Sequence, residues 1–286
     1  MEKPENAAPI LRGSRTLLMG PPGTGKTWSL STLVEAGLEL FCLFTDPGGE
    51  ESLLDAIRAK DLDIDRVHWR YVAPSNPSWE TMLKMAKQIG SMSYKGLSDI
   101  KTGIDKHEYQ QFYEMLGYMA NFVDERTGEE FGPIDSWGPD RAFAFDGISG
   151  MNIMALDMML GAKPTAHEGE WGVSMRAEEM VIQKLTGALS CFSVTIGHVE
   201  REPNIITGIP QQTLGMLGKK LAPKIPRLYS DVVLSVRTGR NFSWTTIEDN
   251  TDLKTRCLPL DANMAPDFGL IVKAWEERSK LVEVTP

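Results

Sequence analysis

Cysteine is scarce in this 286-residue chain: Cys42, Cys191 and Cys257 stand far apart, with no CxxC spacing. An odd, scattered set of this kind argues against a disulfide framework or a thiolate zinc site and for free thiols in a reducing compartment. Histidine is scarce too. His68, His107, His167 and His198 show no HExxH pattern or paired ligand spacing, so no histidine-held metal is expected. No apolar run approaches the roughly 20 residues that cross a bilayer. The opening "MEKPENAAPILRG" has no hydrophobic signal core, which reads as a flexible lead over residues 1–13 and a cytoplasmic chain without a membrane partner. Excess positive charge is also missing. A formal charge of −9 excludes a chain that coats nucleic acid indiscriminately. Internal repeats, low-complexity tracts and long linkers are absent as well.

What is present is an ordinary globular composition, 42% apolar and 24% charged, long enough for one large domain or two small ones. Residues 14–286 are read as a single domain. Strand-like and helix-like stretches alternate. Apolar runs at 15–20, 38–46, 67–73, 141–146 and 191–199 read as five strands. Helical spacing follows at the stretch after Gly25, at "EESLLDAIRAK", at 78–92, 106–122, 150–160 and 173–189. Strands that are almost wholly apolar and separated by helices predict a mostly parallel sheet covered on both faces. A helical insertion spans about 78–135. From about 231 to 286 the pattern turns β-rich ("DVVLSVRTG", "FSWTTIED", "LKTRCLPL"), and an antiparallel extension of the sheet at one edge is expected there.

The most specific stretch is "LLMGPPGTGKTWSLSTL" at 17–33. Gly20, Pro21, Pro22, Gly23, Thr24, Gly25, Lys26 and Thr27 match GxxxxGK[ST] in full, after an apolar strand and before a helix that Trp28 continues. Glycines let successive backbone N–H groups turn inward as an anion nest, and the helix N-terminus adds partial positive charge. Lys26 is expected to reach the β- and γ-phosphates of a nucleotide such as ATP, and the Thr27 hydroxyl to ligate Mg²⁺. A carboxylate at a neighbouring strand end should complete the metal side. Asp146, ending "RAFAFD", is the first candidate and Asp46, ending "LFCLFTD", its rival; strand-to-helix capping is the bland alternative for both. Glu50 and Glu51 offer a water-positioning group or, equally, a helix cap. His198 ends the fifth strand, where a polar side chain can sense a terminal phosphate.

With "GPPGTGKT", "AFAFDGISGM", "KPTAHEGEWG", "TIGHVERE" and "LGKKLAPKIPRLYSDVVL", roughly residues 14–240 resemble the RecA-like P-loop ATPase core. More closely, they are similar to phage-encoded ATP-binding proteins of the single-strand annealing recombinase type. The resemblance implies a RecA-like fold with Asp146 on the magnesium side and His198 as the polar sensor. It also implies an ATPase in the host cytoplasm, working as a ring or filament on single-stranded DNA, with a phage single-strand DNA-binding protein as a possible partner. The chain departs from that pattern at Gly48, where such proteins commonly place a catalytic glutamate. Either the turn is longer and still delivers Glu50, or turnover is slow, and a nucleotide-switched scaffold is the further reading of that departure.

Lys219, Lys220, Lys224 and Arg227 form a basic cluster with no acid until Asp231. They are candidates for a trans-acting contact to a neighbour's phosphate, for a DNA backbone path, or for a solvated face. Two loops, 161–172 with Trp171 and 200–213 with Arg201, are candidates for meeting single-stranded DNA, Trp171 by stacking. The "GPPGTGKT" spelling also suits an AAA+ motor or loader, which would append a helical lid. A small-molecule kinase would need an arginine-rich lid, for which only Arg176 is at hand.

Overall fold

The structure is a computed structural model that describes residues 11–74, 77–100, 106–203 and 208–283. Most of the expected N-terminal lead (1–10), residues 101–105 of the insertion, the centre of the 200–213 loop (204–207) and the last three residues lie outside the described residues.

The strands are β1 (Arg15–Met19), β2 (Glu39–Phe44), β3 (Val67–Tyr71), β4 (Arg141–Asp146), β5 (Phe192–Gly197), β6 (Val199–Pro203), β7 (Pro210–Leu214), β8 (Asp231–Thr238) and β9 (Asn241–Thr245). The helices are α1 (Lys26–Ser29), α2 (Ser31–Glu35), α3 (Gly49–Ala59), α4 (Trp79–Gly90), α5 (Tyr94–Ser98), α6 (Gln111–Ala120), α7 (Ile148–Leu160), α8 (Glu168–Gly187) and α9 (Gly269–Glu283). Seven strands form one sheet in the order β3-β2-β4-β5-β1-β8-β9, parallel except for β9. This is the mostly parallel α/β sheet that the near-continuous apolar runs predict.

Alternate residues of each strand feed two separate cores. Leu17, Phe41, Leu43, Phe143 and Phe145 face α6, α7 and α8. Leu18, Leu40, Cys42, Ala142, Ala144 and Val194 face α2, α3 and α9. Helices therefore cover both faces, and no strand of the central group needs a polar side. The first core continues into the insertion. Phe41 packs against Phe122, Phe131 and Trp137 with ring centroids 5.3, 4.9 and 4.3 Å away. Beside it His68 sits between Asp124 and Glu39, and Arg141 closes the group on Glu39 at 2.7 Å. The second half of the insertion is thus core. Its first helix, α4, buries none of its residues.

Four expectations need correction. β8 lies parallel to β1, and only β9 runs antiparallel, because the chain crosses from β5 over β1 before entering β8. The "LKTRCLPL" stretch is a loop held by a buried carboxylate: Asp231 Oδ1 accepts the N–H groups of Arg256 and Cys257, both at 2.8 Å, and of Leu258 at 3.3 Å. The C-terminal stretch is then helical, with Phe268, Ile271 and Val272 seated in the second core. The two candidate loops hold regular structure in part. Val199–Pro203 and Pro210–Leu214 pair as the antiparallel ribbon β6–β7. Trp171 lies in the first turn of α8, whose start is fixed by Glu170 reaching back to the His167 N–H at 2.8 Å and clasping Lys163 Nζ at 2.7 Å.

Candidate phosphate and metal site

Every parallel strand ends at the same edge of the sheet, where open α/β folds bind ligands. Four of those ends meet. The turn after β1 carries residues 20–25; β2 delivers Asp46, β4 Asp146 and β5 His198. Between them lies a cavity of about 760 Å³ walled by residues 22–28, Asp46, Asp146, His198 and Phe242, and extending past Gly48, Ser52 and Asp55.

The turn has the backbone a nest requires. Gly23 and Gly25 hold φ of 71° and 82°, a left-handed region open to glycine without steric cost. A Cβ on Gly25 would also press on the Phe242 ring at 3.2 Å. The turn is held in place by Ser235, whose hydroxyl donates to the Thr24 carbonyl at 2.9 Å. Lys26 is only 6% exposed. Its ammonium donates to the Gly20 and Pro21 carbonyls at 2.9 Å each and lies 3.4 Å from His198 Nδ1. Burial lowers its pKa to about 8, against the opposing charges of Asp146 and Asp46.

The Thr27 hydroxyl donates to Asp146 Oδ2 at 2.6 Å. Burial pushes the Asp146 carboxyl up to about 6; the Thr27 bond opposes the rise and the Asp46 charge adds to it. A hydroxyl and a buried carboxylate side by side, facing an anion nest, suit a hard cation that takes its other ligands from phosphate and water. Asp46 is engaged differently. Its Oδ1 accepts the Gly150 N–H at 3.1 Å, and its Oδ2 lies 3.5 Å from His198 Nε2. Thr27 and Asp146 are therefore the fitting metal pair.

The other expected residues lie elsewhere. Glu50 and Glu51 occupy the first turn of α3 and are absent from the cavity wall. Glu50 instead faces Tyr71, whose pKa is raised by burial and then by the Glu50 and Asp46 charges. Gly48, at φ 77°, caps α3 in a left-handed conformation that disfavours any side chain there. Trp28, 41% exposed, stands at the cavity's lip. Lys219, Lys220, Lys224, Arg227 and Arg201 are exposed and outside the cavity, Lys219 pairing with Glu202 at 3.0 Å. The sequence reading missed Arg237 and Phe242 of the β8–β9 hairpin. The Arg237 guanidinium lies over the Phe242 ring at 5.4 Å and next to Gly23. The turn "TGRN" was the available sign of a hairpin, but nothing in it points to the phosphate turn.

Among the described residues no helix is long and apolar enough to cross a membrane. No family model matches the chain, and no curated protein matches it. A solved structure from Pyrococcus horikoshii OT3, described only as a structural study, is similar at 10% identity over 87% of this chain and 94% of its own, with a TM-score of 0.34. A likeness that low carries no argument about fold or function.

Proposed function

We propose that the chain is a RecA-like, Mg²⁺-dependent ATPase of a DNA transaction, recombination or single-strand annealing, that works as an oligomer. The Thr27–Asp146 contact at 2.6 Å carries the reading, because a phosphate turn alone binds anions whereas a turn with a hydroxyl and a buried carboxylate beside it suits a metal–nucleotide pair. Backbone amides around Gly23 and Gly25 would hold the terminal phosphates, Lys26 would swing from its two carbonyls onto them, and Thr27 with Asp146 would hold the metal. The metal's part is to neutralise charge that develops on the phosphate oxygens. Phe242 and Trp28 flank the turn as apolar surfaces for the rest of the nucleotide.

Lys26 and Lys60 are the only lysines or arginines in the described cavity wall, and Lys60 is tied to Glu35 at 2.7 Å. Apart from Arg237 beside Gly23, few cations stand at the site, which supports nucleotide bound between subunits, with Lys219, Lys220, Lys224 or Arg227 of a neighbour supplying charge. The same shortage disfavours a kinase with an arginine lid. After β5 the described chain forms strands and one helix packed into the second core, which favours the RecA-like reading over an AAA+ protein with a helical lid. The test is calorimetry of ATP with magnesium, followed by turnover with and without single-stranded DNA. Binding and DNA-stimulated turnover are expected. No nucleotide uptake sinks the proposal.

A further inference from the structure

His198 sits between two partners whose hydrogen-bonding roles are fixed. An ammonium only donates, and an ionised carboxylate only accepts. Nδ1 faces the Lys26 ammonium at 3.4 Å, and Nε2 faces Asp46 Oδ2 at 3.5 Å. With Nδ1 accepting from the Lys26 ammonium, the hydrogen falls on Nε2, the side of Asp46, which stands at an ion-pair distance of 3.5 Å. Asp46 is itself immobilised by the Gly150 N–H at the start of α7. A base oriented by a carboxylate behind it is the arrangement that activates a nucleophile.

From this geometry we infer that Asp46 and His198 form a water-activating dyad, in which Asp46 is a positioning residue and His198 Nδ1 takes the proton. The inference rests on the ATPase reading. It gives a role to the strand-end carboxylate that the metal does not need, and it explains how a chain with Gly48 and with Glu50 and Glu51 outside the cavity can still hydrolyse. In the step, a water oxygen bonds to the γ-phosphorus while its proton passes to Nδ1. The bond between that phosphorus and the bridging oxygen breaks, and its electron pair leaves with ADP. The imidazolium then returns its proton to the released phosphate. Lys26, drawn onto the phosphates, vacates its place against Nδ1 and leaves room for the water. The 3.5 Å contact to Asp46 is of the loose kind that tightens in a substrate complex.

Asp46→Asn, His198→Gln and the double variant test the dyad. General-base groups contribute about 10²–10⁴-fold. Each single variant is expected to lower kcat by at least about 100-fold while the Kd for ATP with magnesium, measured by calorimetry, changes less than about threefold. The double variant should be no slower than His198→Gln alone, since members of one unit are not additive. A second readout needs no turnover: ¹⁵N NMR of the imidazole in the nucleotide-free protein should show hydrogen on Nε2, with the preference weakened in Asp46→Asn. Three results overturn the dyad: hydrogen on Nδ1 in the wild type, an Asp46→Asn variant that loses nucleotide affinity as a metal ligand would, or single effects that multiply. A wild type that binds ATP without hydrolysing it also overturns the dyad while sparing the nucleotide site. A wild type that binds none overturns the ATPase reading itself, and the NMR result still stands as a statement about the residues.

Discussion

The Thr27 hydroxyl and the Asp146 carboxylate, 119 positions apart, meet at 2.6 Å across the ends of β1 and β4, with β5 between those strands. Asp146 is 5% exposed, and its carboxyl holds a proton up to about pH 6, chiefly because of burial. The site thus stores a cost of folding that a bound cation would relieve.

The first prediction follows from that cost. The unfolded carboxyl gives up its proton near the usual 3.8 and the folded one near 6. The folded form binds more protons between those values, so stability falls as pH rises through that window and levels off above it. A rise of this size corresponds to roughly 3 kcal/mol. Asp146→Asn should therefore raise the Tm of the nucleotide-free protein at pH 7.5 and abolish magnesium-dependent nucleotide binding. An unchanged or lower Tm would count against a buried, destabilised carboxylate.

A second prediction concerns a carboxyl far from the cavity. Glu178 on α8 is fully buried, and burial raises its pKa to about 8, with a hydrogen bond from the Leu217 backbone opposing the rise. Its contribution to stability is lost as pH rises from the usual 4.5 through about 8. Glu178→Gln should flatten the pH dependence of stability above pH 5 and should be more stable than wild type at pH 9, as read by urea denaturation.

Phe41 tests the aromatic core. Its ring contacts three other aromatic side chains and stacks on His68 at 4.7 Å. Phe41→Ala should cost about 3–5 kcal/mol in denaturant unfolding. A loss below about 1 kcal/mol would mean that the insertion is not part of the main core.

The basic cluster is tested by salt. If Lys219 and Lys220 contact DNA phosphates, replacing both with alanine should reduce the slope of log affinity against log salt by about 1.4 for single strands. ATP turnover without DNA should be unchanged under that reading. Loss of turnover without DNA points instead to a contact with a neighbouring subunit's nucleotide. If neither changes, the cluster is a solvated face.

Much of this arrangement was legible in the sequence. The five strands before residue 200 were legible from their apolar content, most plainly in β2, where cover on both faces leaves the uninterrupted run "LFCLF". The placing of the glycine turn after β1 and of Asp146 at the end of β4 was legible because each closes an apolar run. The β6–β7 ribbon was not, since "VEREP" and "PQQTL" pair with little burial and so carry no apolar pattern. Helix α9 is hard to read from sequence although Ile271, Val272 and Trp275 have helical spacing, because strand-like residues precede it. The contact between Asp46 and His198 joins two loops across an intervening strand, and nothing local in either loop records it.

The ribbon has one more consequence. Its root is fastened beside the candidate site: the Gly215 N–H donates to the His198 carbonyl at 2.8 Å, and Asn152 Nδ2 holds the Gly215 carbonyl at 3.1 Å. Five paired residues project from that anchorage, an arm of roughly 16 Å at about 3.3 Å per residue. The ribbon is held again midway, where the Gln212 N–H donates to the Asn250 carbonyl at 3.0 Å, so it ties the imidazole-bearing residue to the loop after β9.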